Sequence, residues 1–181
     1  MPRIMLLAGS MRPNSCSQSA CRIAASFAES LGAETQVVSV RDLNLPMYVP
    51  DVELEAFGEA ANRIQTLIDA YRKADSYLWC SPAYHGTVTG AFKNALDFAE
   101  FLSSDSPPYL QEKAVGMVSI NDSSPFPAMR DSARELRAWV APTHVSIPGS
   151  EFDVKRELAN ERFLNRLRRL VEELLGHQRK S

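Results

Sequence analysis

Short apolar runs alternate along the chain with longer stretches whose apolar residues recur every three or four positions. The runs are 3–8 (RIMLLA), 35–40 (TQVVSV), 76–80 (SYLWC), 114–120 (AVGMVSI) and 143–147 (THVSI). Several are apolar at consecutive positions, the pattern of a strand covered by helices on both faces. Between them, four sets of residues each fall on one helical face: Ala20, Ala24, Phe27 and Leu31; Phe57, Ala61, Ile64, Ile68 and Tyr71; Met129, Ala133, Leu136 and Val140; Leu164, Leu167, Val171 and Leu174. Gly32 stands where the first helix must stop. A further helix follows the glycines near residue 90. Alternating strands and helices with right-handed crossovers give an α/β protein built on a parallel sheet.

Composition narrows the class without deciding the function. At 181 residues, 45% of them hydrophobic, the chain suits one domain, 1–181, with a single core. Its 20 basic and 22 acidic residues are intermixed and leave a net charge of −2, which offers no broad positive field for nucleic acid. The basic C-terminal stretch (Arg162, Arg166, Arg168, Arg169, Arg179, Lys180) is interrupted by Glu161, Glu172 and Glu173 and reads as a solvated helix face. Three cysteines, Cys16, Cys21 and Cys80, lack metal-type spacing, and their odd number fits a reducing cytoplasmic compartment. No run of about 18 apolar residues marks a membrane span.

Ligands of open parallel sheets sit beyond the carboxyl ends of the strands, which directs attention to residues 9–17, 81–90 and 119–127. In the first, Ser15 or Ser17 serves as helix N-cap. The stretch holds more than a cap needs: Ser10, Ser15 and Ser17 supply hydroxyls, Arg12 supplies a fixed charge, and helix amides point the same way. That is the chemistry of a phosphate cradle. Neither G-x-G-x-x-G nor G-x-x-x-x-G-K-[ST] is present, so a phosphomonoester fits better than a pyrophosphate. In the second stretch, SPAYHGTVTGAFKNALDF, Pro82 ends a strand, and Gly86 and Gly90 permit close backbone approach to a flat heterocycle.

The motif G-S-x-R-x-x-S-x-S at 9–17, paired with P-x-Y-x-G-T-x-x-G-x-x-K-N-x-x-D at 82–97, resembles the NADPH-dependent FMN reductase family, which includes azo-, quinone- and chromate-reducing members. The resemblance runs from residue 3 to about 150. It implies a flavodoxin-like three-layer sandwich, with a five-stranded parallel sheet in the order 2-1-3-4-5 and helices on both faces. It also implies FMN as cofactor, its phosphate among Ser10, Arg12, Ser15 and Ser17, with Cys16 also counted as cofactor-binding and Pro82, Ala83, Tyr84, His85, Gly86 and Thr87 bordering the ring. Ser119 and Asn121 are assigned near the ring on the same basis. The sequence departs from the common family pattern at Ser17 and His85, where asparagine is usual, at Thr89, a frequent proline, and in the third loop, which lacks paired glycines.

The implied reaction is ping-pong hydride transfer from NADPH (or NADH) to FMN and on to a small acceptor: flavin, quinone, azo compound or metal oxyanion. The flavin carries that chemistry, so no catalytic acid or base is assigned; amides of the 82–87 loop are expected to stabilise negative charge on the ring. His85 is a possible donor to ring or acceptor, while His144, His177 and Cys80 read as structural and Cys16 as a thiol near a helix start. Phe98, Phe101, Leu102, Tyr109 and Leu110 suggest an association surface, in line with the homodimers or homotetramers of the family. Two other readings share the fold: a flavodoxin-type electron carrier without its own NAD(P)H activity, and a binding module without flavin.

Overall fold

In the computed structural model, which describes residues 1–178, five parallel strands form one sheet in the order β2-β1-β3-β4-β5. They are β1 (Arg3–Ala8), β2 (Glu34–Ser39), β3 (Ser76–Pro82), β4 (Ala114–Ile120) and β5 (Trp139–Ile147). The helices are α1 (Cys16–Ser30), a single turn α2 (Val40–Leu43), α3 (Ala61–Lys73), α4 (Gly90–Asp97), α5 (Pro125–Glu135) and α6 (Glu161–Gln178). Both the fold class and the strand order expected from the sequence are met.

Alternation along the strands builds two cores. Ile4, Leu6 and Ala8 of β1 point to the layer of α1 and α6, where they meet Ala20, Ala24, Leu167 and Val171. Met5 and Leu7 point the other way, to Ile64, Ile68 and Tyr71 of α3, Phe92 of α4 and Met129 of α5. Because helices cover both faces, every residue of β3 and of β4 is buried, which is why these segments show no polar alternation. Gly116 makes room for α6: a Cβ there would stand 2.8 Å from Cδ1 of Leu170.

Two helix ends are formed alike, only one of them by a glycine. After α1, Gly32 takes φ +84° and donates to the carbonyl of Glu29, while Ala33 donates to that of Ala28. After α5, Arg137 takes φ +64° and repeats the motif, its amide on Arg134 and that of Ala138 on Ala133. The expected helical face ending at Val140 is therefore corrected: α5 stops at Glu135, and Val140 belongs to β5, which begins at Trp139. β2 likewise runs one residue earlier than expected, and Val40 opens α2 beneath the Ser39 cap. The periodic run from Phe57 is broken at Gly58 (φ +55°), so α3 itself begins at Ala61.

The 98–110 segment is also corrected. Phe98, Leu102 and Leu110 are buried in the core on the α3 side, and Phe101 packs against it half-buried. These residues cover the molecule's own core, so they offer no association surface. On α6, Arg162, Arg166, Arg168 and Arg169 are exposed, as a solvated face requires. Arg179 and Lys180 lie outside the described residues. No described helix is long and apolar enough to cross a membrane.

Candidate flavin site

β1 pairs with β2 on one side and β3 on the other. The crossover connections leave this point of the parallel sheet in opposite directions, so the loops leaving β1 and β3 bound a crevice at its carboxyl edge.

The first loop is fixed at both ends. The Gly9 amide donates to the Cys80 carbonyl at 2.8 Å, and a Cβ at Gly9 would lie 2.8 Å from the Phe92 ring. Such proximity explains the glycine: β1 must pass directly over α4. At the far end Ser15, extended at φ −81° and ψ 152°, is the N-cap of α1 and accepts the Gln18 amide at 3.2 Å. Its hydroxyl lies 3.1 Å from that of Ser17. Buried Ser10 accepts the Arg12 amide at 3.2 Å, which curls the loop around the start of the helix. The first-turn amides of Cys16 and Ser17 have no acceptor within the helix.

The second loop closes on itself. Tyr84 and Thr87 exchange both backbone hydrogen bonds, at 2.9 and 3.1 Å, around a two-residue turn of His85 (φ +49°) and Gly86 (φ +82°). Ala83 donates to the Ile120 carbonyl at 3.0 Å. The amides of His85 and Gly86, at the loop's exposed tip, are uncommitted. The two loops meet at Thr89, whose hydroxyl donates to the Gly9 carbonyl.

A cavity of about 270 Å³ opens between these loops and the segment that follows β5. Ser10, Arg12, Ser15, Cys16 and Ser17 form one wall; Pro82 and Tyr84 form another; Ile120, Asn121, Gly149 and Arg156 complete it. Ala83, His85, Gly86 and Thr87 stand at the rim rather than in the wall. Ser119 is fully buried and its hydroxyl donates to the Asp122 carbonyl, so it shapes the third loop while Asn121 faces the cavity. Asn121 holds φ +85° and accepts the Gly149 amide at 3.2 Å through its side-chain oxygen.

A larger cavity of about 570 Å³ lies at the opposite end of the sheet, between Pro2, Asp75, Lys113 and His177. Size alone does not make it the site. The smaller cavity has the donor chemistry: its wall carries three serine hydroxyls and two guanidiniums and no carboxylate. Among the described residues, neither Arg12 nor Arg156 forms an ion pair. Donors without a compensating acid are suited to an anion of the size and charge of a phosphomonoester.

The remaining candidates are structural. Burial pushes the Cys80 thiol well above its ordinary range, reinforced by its hydrogen bond with Cys21. Burial lowers the His144 imidazole, which packs against Phe126 with ring centroids 5.3 Å apart. His177 lies 3.2 Å from the Glu112 carbonyl through Nε2. Sequence reasoning did not find Arg156 or Gly149. Arg156 sits in EFDVKREL, whose charges look like an ordinary solvated loop.

Fold and crevice define a flavodoxin-like α/β protein. Solved structures of the same architecture include the flavoenzyme NAD(P)H:(acceptor) oxidoreductase FerB of Paracoccus denitrificans (TM-score 0.77, 16% identity, 99% of this chain and 98% of that one). An archaeal flavodoxin also matches (TM-score 0.64, 13% identity, 99% of each chain). The model of the NADPH-dependent FMN reductase family matches residues 2–151, and the chain belongs to that family. An NADPH-dependent FMN reductase, ArsH, of Acidithiobacillus ferrooxidans is 31% identical over 180 residues, 96% of this chain and 72% of its own length. An FMN-dependent NADPH-azoreductase of Staphylococcus saprophyticus is 33% identical over 128 residues, 66% of this chain and 65% of its own.

Proposed function

We propose that this chain is an FMN-dependent NAD(P)H oxidoreductase that passes electrons from NADPH, or NADH, to a small acceptor: a flavin, quinone, azo compound or metal oxyanion. The observation that carries this reading is the cavity at the strand divergence, with hydroxyls, guanidiniums and helix amides at one end and a pre-folded turn at the other.

In this reading Ser10, Arg12, Ser15 and Ser17 hold the phosphate together with the first-turn amides of α1. Pro82 and Tyr84 bound the ring, and the amides of His85 and Gly86 donate to its polar edge, where they favour negative charge. FMN, when bound, supplies the redox chemistry. In this reading the chain's residues position it, and no side chain is assigned as an acid or base.

The chain is proposed to work in the cytoplasm as a homodimer or homotetramer. Support for association comes from a shallow apolar hollow beside the site, where Met11 and Met47 are 50% and 76% exposed over Leu45 and Ala91. Light scattering at micromolar protein tests it; a monomer mass refutes it.

The deciding experiment for the function is an absorbance spectrum of the purified protein followed by anaerobic titration with NADPH and NADH. Bound FMN bleached by either nucleotide is the expected result. FMN that binds but is not reduced would make the chain an electron carrier, and a protein that takes up no FMN would overturn the flavin reading.

A further inference from the structure

Arg156 reaches the proposed phosphate end from a part of the chain that neither loop motif includes. It lies beyond residue 151, where the match to the family model stops. Its backbone is tightly held. Phe152 and Leu158 form an isolated antiparallel bridge, the Asp153 amide donates to the Glu157 carbonyl at 3.1 Å, and the Asp153 carboxylate accepts the Glu157 amide at 2.8 Å. Arg156 occupies the left-handed region (φ +65°) in this turn, and its amide donates to the Asp153 carbonyl at 3.0 Å.

From that turn the side chain crosses to the first loop. Nε donates to the Asn14 carbonyl at 3.1 Å, and Nη1 lies 3.7 Å from Sγ of Cys16. The residue is half-buried and lines the cavity beside Ser15 and Ser17. A guanidinium has five N–H donors, so these contacts leave several unspent. No carboxylate neutralises the charge among the described residues, although Asp153, Glu157 and Glu151 lie close in sequence. A side chain that served only to staple the C-terminal segment to the loop would do so as well beside an acidic partner.

Resting on the flavin reading above, we propose that Arg156, which lines the same cavity as Arg12, is a second guanidinium for the FMN phosphate and that it sets the preference for FMN over flavin without a phosphate. Nε holds the loop in shape while the outer nitrogens reach the anion. Two fixed charges match the dianionic form of a phosphomonoester better than one.

The test compares FMN with riboflavin, which presents the same ring without the phosphate. Binding of each to apo-protein is followed by flavin fluorescence quenching for the wild type, Arg156→Gln and Arg156→Ala. Gln retains a donor for the Asn14 carbonyl and guards against collapse of the loop; thermal unfolding of the apo-protein checks that both variants fold. The expected result is FMN affinity about 10- to 100-fold weaker in either variant, with riboflavin affinity within about 2-fold of wild type. The FMN affinity of wild type, but not that of Arg156→Gln, should also fall more steeply with salt. Equal losses for FMN and riboflavin would reduce Arg156 to a structural staple, and unchanged FMN affinity would remove it from the site; either overturns the proposal and leaves the flavin reading intact. Wild-type protein that binds riboflavin but not FMN would overturn the phosphate cradle and this proposal with it, and wild-type protein that binds neither would overturn the flavin reading as well.

Discussion

The hydroxyl of Thr89 donates to the carbonyl of Gly9 at 2.5 Å while accepting the amide of Phe92 at 3.0 Å. One buried side chain thus caps α4 and fastens the loop after β3 to the loop after β1. Its own amide donates to Ser81 Oγ at 3.1 Å, so a proline at this position keeps the φ of −70° and forfeits all three bonds. Thr89→Val is expected to cost about 1–3 kcal/mol in denaturant unfolding, and Thr89→Ser less than about 1 kcal/mol. FMN affinity should follow the same order. A valine variant as stable as wild type would show that the bridge carries no weight.

Gly9 and Gly86 are expected to fail in different ways when a methyl group is added. At Gly9 the new Cβ would meet the buried Phe92 at 2.8 Å and the Cys80 carbonyl at 3.1 Å. Gly9→Ala should therefore cost about 1–3 kcal/mol by overpacking, and Phe92→Leu in the same chain should recover part of the loss. At Gly86 nothing lies within 4 Å, and the penalty is one of backbone conformation at φ +82°. Gly86→Ala should cost about 1 kcal/mol, with no rescue from any neighbour.

A bulky residue at Gly86 probes the ring rather than the fold. Gly86→Val distorts the turn that aims the His85 and Gly86 amides. The expected outcome is weaker FMN binding and a lower flavin reduction potential, read by dye-coupled titration, because fewer donors remain for a reduced ring. Binding and potential both unchanged would remove this turn from the ring site.

Two buried phenols predict a loss of stability at alkaline pH. Burial raises both Tyr71 and Tyr77 above the ordinary value of 10.0. Tyr71 OH donates to the Ala95 carbonyl at 3.2 Å, and Tyr77 OH to the Tyr71 carbonyl at 2.7 Å. A folded value above the unfolded one means that the stabilisation is complete below about pH 10 and declines as pH rises beyond it. Lys113, whose ammonium burial disfavours and which donates to Tyr77 OH, has the opposite sign and offsets part of the decline. The share of tyrosinate absorbance due to these two phenols, read as the difference from Tyr71→Phe and Tyr77→Phe variants, should therefore rise together with the loss of far-UV ellipticity. Gradual ionisation of both phenols in a protein that stays folded would contradict this.

Gly32 and Arg137 show how far the fold was legible. Both end a helix with the same pair of hydrogen bonds, and only the first announces itself, because glycine adopts positive φ without a steric penalty. With Arg137 carrying no such mark, the apolar spacing of Leu136 and Val140 continued the helix past its true end. Phe98 and Leu110 were legible as apolar but not as inward-facing, since that depends on α3 covering them. The hydroxyl- and guanidinium-rich wall from Ser10 to Ser17 was legible because its residues are contiguous and chemically redundant. Arg156 was not: more than a hundred residues separate it from Asn14 and Cys16, and only the turn at 153–157 brings them together.

Every residue of β3 and β4 is sealed from water, and the loops at the crevice are continuous with such strands. Amide hydrogens in strands of this kind exchange only when the whole domain opens, so the inner floor of the site is as persistent as the molecule itself. Adaptability is then left to surface side chains such as Met11 and Met47, whose unbranched thioethers in the separate hollow over Leu45 and Ala91 can re-pack without asking the sheet beneath them to yield.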